Sequence, residues 1–313
     1  MTARDFTHSI MFHHFHGEQH PKRQGSISAD DFEKMIDWLG NNYNLISSSE
    51  YYDKILRGSI ARNDICLSFD DALKCQLDIA LPVLEKRGIK AFFFIYSSPF
   101  FDQPDLLEVL SYFRSTHFDC IDNFYARFFQ EVETTHGDIY KKSIKDFDPE
   151  TYLSAFKFYS NNDRYFRFLR DQALNKETYE AINIKLMADE NFSISEAKES
   201  LWMSTDDVKQ LDEGGHSVGL HSFSHPTMMG QLDKETQAQE YRKNYVHLRG
   251  ILGGKAIKSM SHPCGNYNGQ TLSILREMGV QIGFRSNLAI SNIRSPLEIP
   301  REDHTNIMQE MNT

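Results

Sequence analysis

The chain has 313 residues, of which 40% are hydrophobic and 25% are charged, an ordinary composition for a globular protein with a sizeable core. Its formal net charge of −10 argues against a surface that binds nucleic acids or anionic membranes. No run of about 18 apolar residues is present, so no membrane-spanning helix is expected. The first residues lack the apolar core of a signal peptide, and the four scattered cysteines form no Cys-x-x-Cys pair. We therefore expect a cytoplasmic protein.

The first hundred residues alternate strands with helices. Apolar runs of strand length recur, and the segments between them carry apolar residues at helical spacing, with Ser28 as a helix cap. Strand, helix and strand in succession predict parallel strands joined by helical crossovers. The same alternation returns after Ser204. Strands are expected at 9–12, 64–69, 90–96, 216–220, 256–260 and 280–284.

Between about Pro99 and Glu199 the alternation stops. This segment is rich in Phe and Tyr with polar residues between them, and we interpret it as a mostly helical insertion whose aromatic residues form a core. The insertion follows the carboxyl end of a strand, so we expect it to lie over the active face and shape the substrate site. The predicted parts of the chain are 5–100, the insertion at 101–200, and 201–313.

One predicted strand ends in two adjacent acids, Asp70 and Asp71. In α/β proteins the carboxyl ends of the strands carry the chemistry. Two neighbouring carboxylates cost free energy unless a cation or a shared proton offsets their charge. A structural alternative needs no function, because Asp70 could end the strand while Asp71 caps the following helix. The pair alone leaves both interpretations open.

Two other strand ends carry polar groups. His221 and His225 follow the strand at 216–220, and the stretch 262–265 follows the strand at 256–260. Both histidine rings would lie on one side of a helix or of an extended segment. Two imidazoles with one carboxylate form a ligand set of the catalytic zinc type, which leaves one position for water. Two structural histidines are the alternative.

Motifs of several other enzyme classes are absent. A zincin protease needs a Glu directly after the first histidine, where this chain has Ser222, and Pro226 would break a helix there. No G-x-S-x-G elbow of a serine hydrolase is present. Neither a Walker loop nor a G-x-G-x-x-G follows a strand, so nucleotide-phosphate chemistry has no support.

In combination these motifs resemble those of the polysaccharide deacetylases, the NodB-homology family also known as carbohydrate esterase family 4. Residues 69–71 are similar to the first motif of that family. Residues 221–226 are similar to the second, a His-Ser/Thr-x-x-His sequence. Residues 261–268 resemble the third, a proline–aromatic–glycine stretch.

The resemblance covers roughly residues 5–100 and 200–300 and excludes the insertion. It implies an α/β fold, namely a distorted, incomplete (β/α) barrel of the NodB-homology type with a large, mostly helical insertion. The implied reaction is the metal-dependent removal of N-acetyl, or sometimes O-acetyl, groups from sugars.

The resemblance also implies a role for each motif residue. Asp71, His221 and His225 would hold a divalent metal, most consistent with Zn²⁺, and Asp70 would act as the general base. The backbone N–H of Cys264 would stabilise the oxyanion that forms on the acetyl group. Because water attacks in this scheme, the thiol of Cys264 has no need to act as a nucleophile.

The sequence departs from the family pattern in several places. Ser and His at 261–262 stand where the third motif usually opens with an Arg that orients the base. Cys264 replaces an aromatic residue, and Ala72 replaces a Gly. The late Leu-x-His motif that supplies the general acid is not evident. His304, beyond a strand-like segment near the carboxyl terminus, and His14, at the end of the first strand, are the candidates for that acid.

The sequence therefore predicts a metal-dependent N-deacetylase whose partner is an acetylated sugar. A nucleotide-linked or lipid-linked sugar of surface-polysaccharide synthesis suits the expected cytoplasmic location. One alternative is a metal-dependent amidohydrolase that acts on a non-sugar amide. Another is a catalytically inactive sugar-binding relative, which the altered third motif would explain. The sequence leaves open the sugar and its carrier, the native metal and the oligomeric state.

Overall fold

The computed structural model describes residues 7–101, 103, 106–153, 159–290 and 293–312. The chain divides into two compact units. The first comprises residues 1–105 and 199–313, and the second comprises residues 106–198. None of the helices within the described ranges is both long and apolar enough to cross a membrane.

The first unit contains a seven-stranded parallel sheet in the order β8-β7-β6-β5-β4-β1-β9. A separate parallel pair is formed by β2 and β3. The strand predicted at 9–12 matches β1, whereas the single strand predicted at 64–69 is divided into β3 and β4, which belong to different sheets. The other predicted strands are present with shifted ends, and β9 was not predicted. Within the described residues the strands are β1 (Ser9–Phe12), β2 (Asn44–Leu45), β3 (Asp64–Ile65), β4 (Leu67–Asp70), β5 (Phe92–Ile95), β6 (Ser217–Leu220), β7 (Ser259–Ser261), β8 (Ile282–Phe284) and β9 (Arg301–Asp303).

The sheet curls into an incomplete barrel with β8 and β9 as its edges. Ile299, two residues before β9, forms backbone hydrogen bonds with the β8 edge. Its N–H donates to the Gly283 carbonyl and its carbonyl accepts from the Arg285 N–H, each at 2.8 Å. No strand ladder joins β8 to β9 within the described residues. The predicted fold, a distorted and incomplete (β/α) barrel, is confirmed.

Helices follow most strands of the first unit and supply the crossovers. The segment after β4 begins with a π-helical turn, Gln76–Ala80, before α3. The helices of this unit are α1 (Ala29–Asn42), α2 (Ser48–Arg57), α3 (Leu81–Arg87), α10 (Thr205–Glu213), α11 (Lys234–Ile251), α12 (Gly269–Glu277) and α13 (His304–Met311).

The alternation of side chains along the central strands separates two environments. On β4, Phe69 stacks on Phe12 and Phe93, with ring centroids 5.2 and 4.7 Å apart, on the face covered by α1. Successive strand residues point to opposite faces, so Ser68 and Asp70 point into the barrel. Each fully buried aromatic ring stabilises the fold by about 1.5–3 kcal/mol, enough to hold the strands that position these polar residues.

The second unit is helical over the described residues, as the sequence predicted. Its core combines aromatic and aliphatic side chains, and Phe166 contacts Phe124, Phe128 and Tyr179 with ring centroids 4.9–6.0 Å apart. The expectation that it overlies the active face stays a prediction. Its helices are α4 (Leu106–Thr116), α5 (Ile121–Thr135), α6 (Gly137–Asp146), α7 (Asn161–Phe168), α8 (Lys176–Asp189) and α9 (Ile194–Leu201), which runs past the unit boundary.

Candidate active site

The two adjacent acids differ in backbone conformation. Asp70 is the last residue of β4, whereas Asp71 and Ala72 form a turn with φ of 77° and 54°. Left-handed backbone costs a non-glycine residue about 1–2 kcal/mol, and such strain concentrates at functional sites. Helical backbone resumes at Lys74, and the π-helical turn Gln76–Ala80 that follows has no side-chain cap. The alternative in which Asp71 caps a helix is therefore wrong.

The two histidines of the second motif leave β6 in an irregular loop. Ser222 and His225 have φ of 66° and 56°, and these two left-handed residues bring the rings of His221 and His225 to a centroid distance of 5.0 Å. The loop is neither helical nor extended, so the geometry that the sequence suggested for this spacing is wrong. The proximity of the two rings is as expected.

Helix α11 holds this loop in place. The carboxylate of Glu240 accepts hydrogen bonds from the N–H groups of Phe223 and Ser224, at 3.1 and 2.8 Å, and from the Ser224 hydroxyl at 2.8 Å. One turn further, the buried Asn244 side chain accepts from the N–H of His221 at 3.0 Å. Residues four apart lie on one face of a helix, so one face of α11 sets the loop conformation.

Asp71, His221 and His225 form a group that fits a metal ion, with their ligand atoms all within 4.8 Å of one another. Oδ1 of Asp71 lies 3.2 Å from Nε2 of His221 and 3.4 Å from Nε2 of His225. Ligands about 2.0–2.1 Å from a tetrahedral zinc ion are roughly 3.3 Å apart, which matches these distances. That Asp71 oxygen is buried and makes no hydrogen bond, as expected for a ligand atom.

The surroundings prepare these groups to bind a cation. Nδ1 of His221 donates to the carbonyl oxygen of Ser261 at 2.8 Å, which leaves Nε2 unprotonated as a ligand. Burial alone would raise the pKa of Asp71, but the neighbouring His225 and His221 hold it well below its usual range. The donor set of one carboxylate and two imidazoles suits Zn²⁺, with one position left open.

Asp70 is held by an arginine that the sequence analysis did not identify. Nη1 and Nη2 of Arg301 donate to Oδ1 and Oδ2 of Asp70 at 2.8 and 2.6 Å, and the Ser261 hydroxyl donates to Oδ2 at 3.1 Å. Both side chains are buried, with relative exposures of 1% and 2%. Burial would raise the pKa of Asp70, but the charge of Arg301 outweighs it and keeps the pKa below normal. Asp70 is therefore an oriented carboxylate that stays ionised.

His13, at the end of β1, faces both acids. Its Nε2 lies 3.9 Å from Oδ2 of Asp70 and 4.0 Å from Oδ2 of Asp71, and its side chain is 29% exposed. The neighbouring His14 instead lines a small cavity with Cys75 and Leu73. Of the two predicted candidates for the general acid, His304 and His14, only His14 is at this strand end, and the adjacent His13 is the residue that faces the acids.

The structure does not place His304 among the acids. The ring is 3% exposed, stacks on Phe12 at a centroid distance of 5.3 Å, and lies with Nε2 2.7 Å from the carbonyl oxygen of Gly25. Because a carbonyl accepts, Nε2 carries the proton and donates it there. Burial lowers the pKa of His304. These contacts fit a structural histidine at the start of α13.

Cys264 lies in the turn Pro263–Gly265 that follows β7, at the same edge of the sheet as the acids. Its side chain is exposed and its φ is 50°. The oxyanion role of its N–H stays a prediction. The adjacent His262 is fully buried, donates through Nε2 to the Leu297 carbonyl, and has its pKa lowered by burial to about 3. It is therefore neutral at physiological pH.

Part of the chain matches a known protein family. The family model described as polysaccharide deacetylase matches residues 172–283, a range that includes both histidines and Cys264 but not the Asp70–Asp71 pair. No curated protein matches the chain.

Solved structures of several deacetylases share the fold. The Streptococcus pyogenes deacetylase PplD, determined in complex with acetate, is 16% identical with a TM-score of 0.53, and the match covers 97% of each chain. IcaB from Ammonifex degensii is 16% identical with a TM-score of 0.55, over 96% of this chain and 92% of its own. The BpsB deacetylase domain of Bordetella bronchiseptica is 13% identical with a TM-score of 0.54, over 97% of each chain.

Proposed function

We propose, from the confirmed resemblance to polysaccharide deacetylases, that this protein is a metal-dependent hydrolase that removes an N-acetyl group from a sugar. One observation carries the proposal. A buried carboxylate oxygen of Asp71 makes no hydrogen bond and faces two imidazole nitrogens, next to a second carboxylate that Arg301 holds ionised. The two adjacent acids then have different tasks, metal binding for Asp71 and proton transfer for Asp70.

Asp71, His221 and His225 would hold a divalent ion, most consistent with Zn²⁺. When bound, such an ion supplies Lewis acidity, which lowers the pKa of water and polarises a carbonyl group. Asp70 accepts the proton of the attacking water, because Arg301 and Ser261 fix its carboxylate toward the three ligands.

The leaving amine needs a proton when the C–N bond breaks. His13 is partly exposed, and its Nε2 lies within 4.0 Å of both Asp70 and Asp71. Its Nε2–H can therefore donate to the amide nitrogen of a substrate held beside these two carboxylates. The oxygen of water ends on the acetyl carbon, and the products are acetate and the free amine. The N–H of Cys264 would stabilise the oxyanion, by similarity with the family.

Two further parts of the proposal concern the substrate. A nucleotide-linked or lipid-linked acetylated sugar of surface-polysaccharide synthesis follows from the expected cytoplasmic location, which itself stays a prediction. Hydrolysis of a non-sugar amide, or sugar binding without catalysis, would use the same fold. The complete set of Asp70, Asp71, His221 and His225 favours catalysis, because a binding protein gains nothing from an oriented base beside metal ligands.

Acetate release tests this function. Zinc-loaded protein is incubated with N-acetylated sugars and with simple N-acetyl amides, beside the Asp70→Asn variant. We expect acetate from the sugars and a loss of about 10²–10⁴-fold in the variant. Metal-loaded wild-type protein that releases acetate from amides alone would favour the amidohydrolase. A protein that binds sugars without turnover would be the inactive relative.

A further inference from the structure

Arg285 borders the candidate active site at the edge of the barrel. It directly follows β8, and its carbonyl oxygen accepts from Nε of Arg301 at 2.5 Å. The next residue, Ser286, lies against Gly265, where an added Cβ would overlap the serine side chain. The segment that begins at Arg285 therefore contacts the turn that holds Cys264.

The charge of Arg285 is not neutralised within the described residues. Its Nε is buried and has no hydrogen-bond partner, and a terminal nitrogen donates to the carbonyl oxygen of Ala289. No described carboxylate forms an ion pair with it. The guanidinium of Arg301, by contrast, is fully paired with Asp70. A partly exposed guanidinium without a carboxylate partner is suited to bind an anion from solution.

The position suits a group attached to the sugar that is being deacetylated. In the sheet, β8 lies next to β7 and β7 next to β6, which leads into His221. Neighbouring strands are about 4.8 Å apart, so the ends of β8 and β6 are separated by about 10 Å. A hexose with a phosphate on its anomeric carbon covers that distance.

We propose that Arg285 binds a phosphate group carried by the substrate next to its acetylated sugar. This inference rests on the proposed deacetylase function and specifies its substrate class. A guanidinium donates two parallel hydrogen bonds to phosphate, a geometry that suits an arginine with unused donors. Because the chain has a net charge of −10, an anionic substrate needs a dedicated cation at the site.

Steady-state kinetics of zinc-loaded protein test the proposal. The substrates are the methyl glycoside of N-acetylglucosamine, its 1-phosphate, UDP-N-acetylglucosamine and a short prenyl-diphosphate-linked N-acetylglucosamine. For Arg285→Gln we expect KM for the phosphorylated substrates to rise about tenfold, which corresponds to about 1.4 kcal/mol. KM for the methyl glycoside should stay unchanged. The last two substrates distinguish a nucleotide carrier from a lipid carrier.

Two matched variants serve as controls. Arg276→Gln removes the same charge from an exposed position in the last turn of α12, and we expect all four KM values to match wild type. Arg285→Lys keeps the positive charge but cannot donate two parallel hydrogen bonds to a phosphate. It should therefore bind phosphorylated sugars more tightly than Arg285→Gln and more weakly than wild type. It also replaces Arg285→Gln if that variant does not fold.

A binding measurement separates this inference from the proposed function. Inorganic phosphate is titrated calorimetrically into the zinc-loaded wild-type protein, Arg285→Gln and Arg276→Gln. Weaker phosphate binding by Arg285→Gln than by the other two proteins supports the phosphate site. This holds even if the wild-type protein deacetylates no sugar, a result that would refute the proposed function but not the phosphate site. Equal phosphate affinity in all three, or an unchanged ratio of KM values between phosphorylated and methyl substrates in Arg285→Gln, would overturn the proposal.

Discussion

Arg301 on β9 donates hydrogen bonds to both carboxylate oxygens of Asp70 on β4, although β1 lies between the two strands in the sheet. The contact crosses the barrel interior and also engages the hydroxyls of Ser68 and Ser261, at 3.1 and 2.7 Å. The third motif lacks the arginine that usually orients the base. In this chain an arginine from a different strand makes the corresponding contact.

Replacing Arg301 should reduce turnover without removing the metal site. Arg301→Lys keeps the charge and loses the bidentate geometry, so we expect kcat to fall at least tenfold with near-normal zinc content and KM. Arg301→Ala leaves Asp70 buried and unpaired, which should destabilise the fold by about 3–5 kcal/mol in denaturant unfolding. Wild-type kcat in a folded Arg301→Lys protein would show that the contact is structural.

His13 should be required for proton donation, and its neighbour should not. We expect His13→Gln to lower kcat by about 10²–10⁴-fold with unchanged zinc content, because the leaving amine would lose its acid. His14→Gln, the adjacent substitution of the same kind, should keep most of the activity. The assignment would be wrong if the two variants showed equal rates, or if His14→Gln alone were inactive.

Periodicity predicted the parallel strands and the polar residues at their ends, because each candidate ligand directly follows an apolar strand. The barrel and the separate roles of the site residues came from the resemblance to the polysaccharide deacetylases. It missed β9 because Arg301, Glu302 and Asp303 are all charged and show no apolar alternation, although the structure buries the first two. Arg301 could have been found by searching for an arginine to replace the one missing from the third motif. The choice between His13 and His14 depends on which side of the sheet each ring faces after β1 ends, which a local sequence does not determine.

Glu240 should support metal affinity without touching the metal. It accepts three hydrogen bonds from the loop between His221 and His225. Without them, the left-handed residues Ser222 and His225 can relax and move the two histidine rings. We expect Glu240→Ala to weaken zinc binding about 10–100-fold in a chelator competition. Glu235→Gln, also on α11 but exposed, is the control and should bind zinc normally. Equal zinc affinity in the two variants would contradict this role.

His216 should make the protein less stable in mild acid. It is 4% exposed, accepts from the Ala91 N–H at 3.2 Å, and burial lowers its pKa to about 4. The unfolded chain takes up a proton below its pKa of about 6.5 and the native state does not, so stability is lost as pH falls from 6.5 to 4. This residue alone should cost about 1.4 kcal/mol between pH 7.5 and 5.5, measured by denaturant unfolding.

The matched variant for this effect is His216→Asn, whose side-chain oxygen can accept from the same N–H but does not titrate. We expect its unfolding free energy to fall by about 1.4 kcal/mol less than that of wild type over the same pH interval. Identical pH dependence in the two proteins would mean that His216 is not held neutral.

Zinc content measured beside acetate release in Asp70→Asn and Asp71→Asn tests the central claim, that two adjacent acids divide metal binding and proton transfer. The two variants make the same chemical change at neighbouring positions. We predict that Asp70→Asn retains about one zinc per chain but releases acetate about 10²–10⁴-fold more slowly, because the ligand set is intact and the base is lost. Asp71→Asn should lose both the zinc and the activity. Full zinc binding with normal acetate release by Asp71→Asn would contradict the account.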